Sequence, residues 1–392
     1  MQNLIIKTDR ASSIPVPNTN VLVLGNFVTH GSGEVFLRKF LSLLTPLSRR
    51  IIVFSDWDQK SGTEQFEVVN SVRSATRRFN EHTYFSRLIR YFLVQLILCF
   101  DLLRFASCPG IVVIFDTMMI LPMLAAKLTG KKIILLVAGR IEIASSKPSN
   151  FQKSLIFGLL GFVKRTTFGL ADRIIVESSS LVKWLNLGKY GGKTRIGPTF
   201  VNLDVFRFKD DVDSREEIVG YVGNLSEYKG ILRFVSSIPI ILDERPEVHF
   251  LIVGSGSCYE KIEQTITNMG LSDKVKLLGW LPNSGVSKTL SILKLMVIPS
   301  PSEGLPNILL ESMACGTPVL ATRVGGIPDI ITDMKTGFII DDNSPKSIAD
   351  GTIKALNQQK LVEITQQAFT LVKSQYSFEA AVRRYDLILA GL

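Results

Sequence analysis

Short, continuous apolar runs recur along the chain, separated by longer stretches with helical periodicity. The runs are of strand length, most end in Gly, Asp or Ser, and they do not alternate, which is typical of strands covered on both faces in a parallel sheet. The first half contains runs at 20–27, 50–56, 110–116, 132–139 and 172–178. The second half contains runs at 217–223, 248–254, 275–280, 295–300, 318–322 and 337–341.

The alternation of strands and helices predicts an α/β fold of two Rossmann-like, doubly wound domains with right-handed crossovers. A length of 392 residues also favours two domains over one core. The chain changes from apolar to polar at 205–213, so we predict an N-terminal domain at 1–205 and a C-terminal domain at 206–375. In such sheets ligands bind outside the carboxyl ends of the strands, so the loops after the strands are the candidate sites.

The loop after the first strand contains Gly31 and Gly33, just before a predicted helix. Small residues at a helix N-terminus let backbone amides approach a phosphate closely. A plain turn fits the same pattern about as well. The two glycines are therefore candidate phosphate-binding residues that the pattern alone does not distinguish from a turn.

Three loops of the second half carry further candidates. After the strand that ends at Gly223, the chain offers Asn224 and Lys229, whose charge could neutralise a diphosphate, although an isolated lysine is usually only solvated. The next loop contains Gly254, but the last glycine of the GxGxxG pattern that binds dinucleotides is missing from it. Trp280 follows the third strand, either as a core residue or as a platform for a base.

The stretch PSEGLPNILLESMACGTPVLA begins at residue 301 and carries two glutamates, Glu303 and Glu311. Glu303 follows a predicted strand, and the helix that starts after it places Glu311 in its second turn. The start of this helix favours an anion at its backbone amides. The residues around it are Gly304, Leu305, Pro306 and Asn307. Carboxylates accept hydrogen bonds from hydroxyls, so this arrangement favours a sugar joined to a diphosphate over a solvated helix face.

Charge is divided unevenly between the two halves. Residues 1–205 carry 26 Lys and Arg against 13 Asp and Glu, whereas residues 206–392 carry 19 against 22. The basic half suits nucleic acid, an anionic membrane or a phosphorylated substrate. The sequence has no zinc-finger spacing and no RNP-like aromatic motif, so we predict no nucleic-acid partner.

The spacing of the cysteines, the number of histidines and the length of the apolar runs restrict the class of protein further. The four cysteines are widely spaced without a CxxC pair, which favours reduced thiols, and three histidines argue against a His-based metal site. The longest apolar runs are too short to span a bilayer, and the first twenty residues lack the apolar core of a signal peptide. We therefore expect a cytoplasmic protein without a metal or a cofactor.

The stretch PSPSEGLPNILLESMACGTPVLATRVGGIPDIITDMKTGFII resembles the donor-site signature of the retaining, GT-B-fold glycosyltransferases of family 4, the group 1 glycosyltransferases. Glu303 and Glu311 match the E-x7-E pair of that family. The likeness extends to the glycine loop at 29–34, the phosphate loop at 221–230 and the closing helix at 375–389.

The resemblance implies a GT-B fold, with two Rossmann-like domains facing across a cleft and a C-terminal helix at about 376–392 crossing back to the first domain. It implies that Glu303 contacts the donor sugar, Glu311 the ribose and Lys229 the diphosphate, with Glu303 and Lys229 as the catalytic residues. Members of the family transfer a hexosyl group from a nucleotide-diphosphate sugar to a hydroxyl acceptor, with retention and without a metal. The leaving diphosphate is thought to assist deprotonation of the acceptor.

Three positions depart from the family pattern. Asn224 stands where the family usually has Arg, Ala138-Gly139 replaces its His-Gly pair, and Val201-Asn202 replaces the Val-Asp of its linker. Arg140 could supply the missing positive charge. The departures keep a second hypothesis open, a catalytically weak subunit that binds sugar nucleotides or supports a glycan-assembly complex. An epimerase on the same fold is a third.

Residues 73–104 combine six arginines with a long apolar helical run. Two hypotheses explain this pattern about equally well. The segment is either a core helix with a solvated arginine fringe or a surface element that docks on an anionic membrane. In the second hypothesis the arginines meet lipid headgroups and Tyr84, Phe85, Tyr91 and Phe92 lie at the interface. The acceptor would then be lipid-linked or a growing surface glycan, and the protein peripheral on the inner face of the plasma membrane.

Overall fold

The computed structural model describes residues 19–24, 32–54, 66–69, 84–137, 150–197, 199–209 and 211–392. By its contacts the chain divides into two compact units. The first comprises Met1–Val176, Asn186–Gly197 and Val382–Leu392, and the second comprises Glu177–Leu185 and Pro198–Ala381. Residues 177–185 and 198–205, which the sequence prediction assigned to the N-terminal domain, thus belong to the second unit.

The first unit is built on a parallel sheet with the strand order β3-β2-β1-β4-β5-β6-β7. The strands are β1 Asn20–Leu24, β2 Arg50–Phe54, β3 Glu67–Val69, β4 Gly110–Ile114, β5 Lys132–Val137, β6 Arg173–Val176 and β7 Thr194–Ile196. The central strands consist almost wholly of buried aliphatic residues, as expected for a sheet covered on both faces. The order reverses between β1 and β4, which is where such a sheet binds ligands.

Four helices of the first unit are described: α1 Ser32–Leu44, α2 Tyr84–Arg104, α3 Ile120–Leu128 and α4 Asn150–Leu170. Helix α2 has two different faces. Its inner face buries Val94, Gln95, Leu98 and Leu102, whereas Phe92, Leu96, Phe100 and Leu103 are about half exposed. We call these four exposed residues the apolar stripe.

The Tyr91 hydroxyl donates a hydrogen bond to Asp116 in the loop between β4 and α3, at 3.1 Å. The Tyr91 side chain is partly exposed, and its position at a membrane interface stays a prediction. Of the other three aromatic residues, Phe92 is exposed, and the side chains of Tyr84 and Phe85 lie outside the described part of the chain. No helix within the described ranges is long and apolar enough to cross a membrane.

The second unit contains a parallel sheet with the order β10-β9-β8-β11-β12-β13. Its strands are β8 Ile218–Val222, β9 His249–Val253, β10 Val275–Gly279, β11 Leu295–Ile298, β12 Val319–Thr322 and β13 Phe338–Ile340. Its helices are α5 Ser179–Trp184, α6 Ile231–Glu244, α7 Tyr259–Asn268, α8 Asn283–Leu290, α9 Asn307–Ala314, α10 Ile327–Ile330, α11 Pro345–Leu356 and α12 Leu361–Gln375. Here the strand order reverses between β8 and β11.

All eleven strands predicted from the apolar runs are present, and most end one to three residues before the run does. The sequence prediction missed β3 and β7, which lie at the two edges of the first sheet. Both are three residues long and lack buried residues, so no continuous apolar run marked them.

The last helix, α13 Phe378–Ala390, begins in the second unit and ends in the first. Within the first unit, the Tyr385 hydroxyl donates to the Gly197 carbonyl at 2.8 Å, and its ring packs edge-on against Phe40 with 5.6 Å between centroids. Gly197 has no room for a side chain, because a Cβ there would meet Ile175 and the Tyr385 hydroxyl. The end of the chain is therefore fixed to the first sheet by a specific contact.

Arg215 connects the segment before β8 to the rest of the second unit. Its side chain is 3% exposed, and its guanidinium makes a 2.8 Å ion pair with Asp211. The remaining N–H groups donate to the carbonyls of Leu293, Lys209 and Cys315 and to the Thr317 hydroxyl. Removing the guanidinium would leave several of these buried acceptors without a donor.

We therefore expect Arg215→Met to lower the free energy of unfolding of the second unit by about 3 kcal/mol or more, since a buried charged donor is lost while its acceptors stay buried. Urea unfolding followed by circular dichroism measures the change. Arg323→Met is the matched control. Arg323 pairs with Asp341 on the surface, so its loss should cost less than about 1 kcal/mol. Equal costs for the two variants would contradict the structural role of Arg215.

Candidate functional site

The loops after β8 and β11 form the candidate site of the second unit. The two strands are neighbours, and the order of the sheet reverses between them. Because the carboxyl ends of parallel strands meet at one edge of a sheet, the loops that follow them lie side by side. Residues 223–230 follow β8, and residues 299–306 follow β11.

The structure brings Lys229 and Glu303 together at this edge. The Lys229 Nζ lies 2.8 Å from each carboxylate oxygen of Glu303, which is a bidentate ion pair. The side chains are 27% and 8% exposed, respectively. The sequence analysis assigned the two residues to different parts of one ligand, the diphosphate and the sugar. In the structure the ammonium group of Lys229 and the carboxylate of Glu303 bind each other.

Close backbone contacts hold the two loops against each other. Lys229 ends a short 3-10 turn, Glu227–Lys229, and Gly230 follows it with φ 75°. A Cβ on Gly230 would collide with the Pro299 carbonyl. The same Pro299 carbonyl accepts a hydrogen bond from the Asn343 Nδ2 at 3.0 Å. The backbone next to Lys229 therefore lies directly against the β11 loop.

A pair of glycines holds the backbone of Glu303 from the other side. The Gly326 N–H donates to the Gly304 carbonyl at 2.6 Å. Gly325 has φ 56°, and a Cβ there would collide with the Glu303 carbonyl. These glycines come from the loop after β12, and the sequence analysis did not single them out. The consecutive glycines in VGGIP are the sequence feature that could have identified this contact, because they mark a backbone position where a side chain does not fit.

Helix α9 follows the Glu303 loop and presents one half-exposed face. Its residues Asn307, Ile308 and Glu311 are partly exposed, whereas the remaining positions are buried. Glu311 lies one turn beyond Asn307 on that face, as predicted. No side chain caps the helix at Pro306, and an N-terminus of this kind attracts an anion.

The backbone between the strand and the helix is closely packed. Leu305 and Pro306 are buried, so in this structure they offer a ligand their backbone rather than their side chains. Gly304 is half-buried and takes part in the bond with Gly326. The predicted anion site around the start of α9 thus consists mainly of backbone groups.

The loop after β8 is joined to the loop after β9 by backbone hydrogen bonds. Gly223 N–H donates to Val253 O at 3.0 Å, and Leu225 N–H donates to Ser255 O at 2.9 Å. A Cβ on Gly254 would collide with the Gly223 carbonyl, so Gly254 has a packing role in this junction. Asn224, which stands where the family usually has Arg, is exposed.

Tyr221 is a residue of the site that the sequence analysis missed. It is buried in β8, and its hydroxyl donates to the Asn224 carbonyl at 2.9 Å. Burial raises the pKa of the Tyr221 hydroxyl, and the negative charge of Glu303 raises it further. The phenol therefore remains a protonated donor that fixes the loop beside the ion pair. A tyrosine within a strand looks like a core residue in sequence, so no local pattern identified it.

Four other predicted site residues lie outside the two loops that carry the ion pair. Trp280 follows β10, the edge strand two positions from β8, and is 71% exposed, so its role as a base platform stays a prediction. Gly33 lies in the first turn of α1 in the first unit. Gly31 and Arg140 lie outside the described residues. Among the described residues, no group of three His, Cys, Asp or Glu side chains could hold a metal ion.

Comparison with known proteins adds family information to this geometry. The profile of the family "Glycosyl transferases group 1" matches residues 204–369. N-acetyl-alpha-D-glucosaminyl L-malate synthase of Bacillus anthracis is 31% identical over 178 residues, which are 45% of this chain and 46% of that protein. D-inositol 3-phosphate glycosyltransferase of Segniliparus rotundus is 30% identical over 166 residues, 39% of this chain and 37% of that protein. The matches thus span less than half the length of these relatives.

Solved structures resemble the chain over nearly its whole length. HepE (Alr3699) of Anabaena, crystallised with UDP, has a TM-score of 0.74 at 16% identity and covers 95% of this chain and 100% of its own. WaaG, a glycosyltransferase involved in lipopolysaccharide biosynthesis, has a TM-score of 0.68 at 18% identity, with coverage of 94% and 99%. At these identities the likeness establishes the fold. Residues 204–369 are similar to the group 1 glycosyltransferases, and the fold of the chain is GT-B.

Proposed function

We propose that the protein transfers a hexosyl group from a nucleotide-diphosphate sugar to a hydroxyl acceptor, with retention of configuration and without a metal. The observation that carries the proposal is the Lys229–Glu303 pair at the reversal of the second sheet, beside the start of α9. Support also comes from HepE, which is crystallised with UDP and with UDP-glucose. A uridine nucleotide is therefore the first donor to test.

The site offers a different group to each part of the donor. Lys229 and the amides at the start of α9 suit the diphosphate, because both carry positive charge or partial charge. Glu303 suits the hydroxyls of the sugar, and Glu311 those of the ribose, because carboxylates are hydrogen-bond acceptors. Negative charge grows on the diphosphate as the glycosidic bond breaks, so Lys229 and the amides stabilise the transition state. The leaving diphosphate takes the proton of the acceptor hydroxyl.

The alternative function, a weakly active subunit that binds sugar nucleotides, is favoured by one observation. Asn224 is exposed at the edge of the site and carries no charge where the family usually has Arg. Release of nucleoside diphosphate from a panel of nucleotide sugars distinguishes the two functions. Turnover in the presence of an alcohol acceptor supports the enzyme, and binding without turnover supports the subunit.

The first unit provides a surface for an anionic membrane, which would supply a lipid-linked or surface-glycan acceptor. The apolar stripe of α2 exposes four large apolar side chains in nearly three turns. Helix α2 packs against α3, and α3 against α4. These neighbours expose Leu124, Leu128 and Phe162. Exposed large apolar side chains on adjacent helices support an interaction site on this part of the first unit.

Positive charge next to the apolar stripe indicates which kind of partner binds there. The Arg104 guanidinium lies 4.4 Å from the centroid of the Phe100 ring. Residues 1–205 carry twice as many basic as acidic side chains. Basic groups beside an exposed apolar face bind anionic lipid, with the charges at the headgroups and the apolar side chains below them. The occupant we propose is therefore an anionic membrane on the cytoplasmic side of the cell.

Glu303→Gln should bind nucleoside diphosphate several-fold more tightly than the unmodified protein while losing nearly all transfer. In the unmodified protein a diphosphate competes with the Glu303 carboxylate for Lys229. Glutamine removes that competition, but it no longer provides the charged acceptor for the sugar. Titration calorimetry with UDP and an assay of UDP release measure the two effects. Weaker UDP binding together with full transfer would contradict this role of Glu303.

Lys229→Met should weaken UDP binding by at least tenfold, since a charge-assisted hydrogen bond is lost and Glu303 remains as an unpaired charge. Asn224→Ala is the matched control in the same loop, and its effect should be clearly smaller because only the lysine carries charge. The same calorimetric titration serves both variants. Similar losses in the two would show that Lys229 does not bind the diphosphate.

The protein should sediment with vesicles of phosphatidylglycerol and phosphatidylcholine at low salt and be largely released at high salt, because salt screens the attraction. Replacing both Phe92 and Phe100 by Ser should lower the bound fraction several-fold at low salt, since two apolar side chains no longer enter the interface. Leu278→Ser, at an exposed apolar position of the second unit, is the control. Binding that is insensitive to the double substitution would contradict the proposed surface.

A further inference from the structure

Asp116 occupies in the first unit a place similar to that of Glu303 in the second. It follows β4 by two residues, and the strand order of the first sheet reverses between β1 and β4. The carboxyl edge of a parallel sheet at its reversal point is where ligands bind. None of the groups in the donor site described above comes from this edge, so a polar side chain there calls for a different explanation.

Two neutral donors hold the Asp116 carboxylate. The Met118 N–H donates to Oδ1 at 2.8 Å, and the Tyr91 hydroxyl donates to Oδ2 at 3.1 Å. Asp116 and Tyr91 are both partly exposed. A carboxylate oxygen can accept more than one hydrogen bond, so each Asp116 oxygen retains capacity for a further donor.

No cation compensates the charge of Asp116 within the described residues. None of the ion pairs among them includes Asp116, whereas Asp172 in the same unit pairs with Lys127 at 2.7 Å. Burial raises the pKa of the Asp116 carboxyl, and the hydrogen bonds from Met118 and Tyr91 lower it in part. Burial and the charge of Asp116 raise the pKa of Tyr91, so its phenol stays protonated and remains a donor. A carboxylate held in this way is typical of a functional site.

A second polar group at the same strand end is incompletely bonded. Thr117 is buried, and its Oγ1 makes no hydrogen bond in the described structure. Most buried hydroxyls in proteins are paired, and exceptions occur where a structure holds strain for a function. Within the described part of the chain, the residues just beyond β4 thus carry a carboxylate without a cationic partner and a hydroxyl without a hydrogen bond.

We propose that Asp116 accepts a hydrogen bond from a hydroxyl group of the acceptor, and that Tyr91 is the positioning residue that orients its carboxylate. The inference rests on the proposed transferase function and adds to it the chemical class of the acceptor at this point, a neutral polyhydroxyl compound. Among the described residues the donors that reach Asp116 are neutral, so a hydroxyl group suits it better than a phosphate. A hydroxyl suits the site because it can donate to either carboxylate oxygen.

The experiment measures how the transferred sugar is divided between an alcohol and water. The protein is incubated with the nucleotide sugar that gives the fastest release of nucleoside diphosphate, in the presence of molar glycerol. Glycosyl glycerol and free sugar are then quantified. Their ratio depends on acceptor binding, and it does not depend on donor affinity because both products arise from the same bound donor.

In the unmodified protein we expect the ratio of glycosyl glycerol to free sugar to exceed the ratio of the glycerol concentration to the water concentration. Asp116→Asn should lower the ratio by about tenfold or more, the effect expected for one hydrogen bond to a charged group, with UDP affinity unchanged. Tyr91→Phe keeps the carboxylate and should lower the ratio less. Asp172→Asn is the matched control, because Asp172 precedes β6 at the amino edge of the same sheet and should leave the ratio unchanged.

Each result decides between distinct conclusions. An unchanged ratio in folded Asp116→Asn overturns the proposal, and so does a lack of preference for glycerol in the unmodified protein. If Asp116→Asn does not fold by circular dichroism, Tyr91→Phe decides, and an unchanged ratio there overturns the proposal. Failure of every nucleotide sugar to release diphosphate would instead overturn the transferase function on which the inference rests.

Discussion

The close approach of backbone segments at the carboxyl edge of the second sheet is the constraint on which the candidate site depends. Gly230 lies against the Pro299 carbonyl, and Gly325 lies against the Glu303 carbonyl, each with a left-handed φ and no room for a Cβ. Three loops that follow different strands are thereby held at fixed separations. The Lys229–Glu303 ion pair joins two of these loops at the same place. Such support is what a binding site requires, because small displacements of a charged group change its interaction strongly.

The ion pair also explains how a charged site can remain stable before a donor binds. Glu303 is almost fully buried at its side chain, and a buried carboxylate without a partner is costly. Lys229 compensates it in the structure. In the function proposed above, a donor with both a diphosphate and a sugar would replace the two halves of the pair at once. A diphosphate alone would bind the lysine and leave the buried carboxylate of Glu303 without a partner, so the proposed site would favour the complete nucleotide sugar over its fragments.

The sequence predicted those features that local patterns encode. Continuous apolar runs located the central strands, and the residues around Asn307 marked the start of helix α9, where the structure begins it. The edge strands β3 and β7 were missed because half-exposed strands of three residues have no distinctive pattern. The pairing of Lys229 with Glu303 joins residues 74 positions apart, and the contact of Tyr91 with Asp116 joins residues 25 apart. Contacts of this kind depend on the order of strands in the sheet, which the apolar pattern does not specify.

Glu303 and Asp116 show how the partner of a carboxylate determines the ligand that suits it. Both acids follow a strand at the reversal of a parallel sheet. Glu303 is paired with a cation, so the pair can exchange for a ligand that brings both an anion and hydroxyls. The described partners of Asp116 are a phenol and an amide, which are neutral donors. On the proposals made above, a ligand at Asp116 supplies a hydrogen-bond donor, whereas a ligand at Glu303 must satisfy the lysine as well. Two sheets of the same architecture thus present different chemistry at equivalent edges, because the described partners of Asp116 are neutral and the partner of Glu303 is charged.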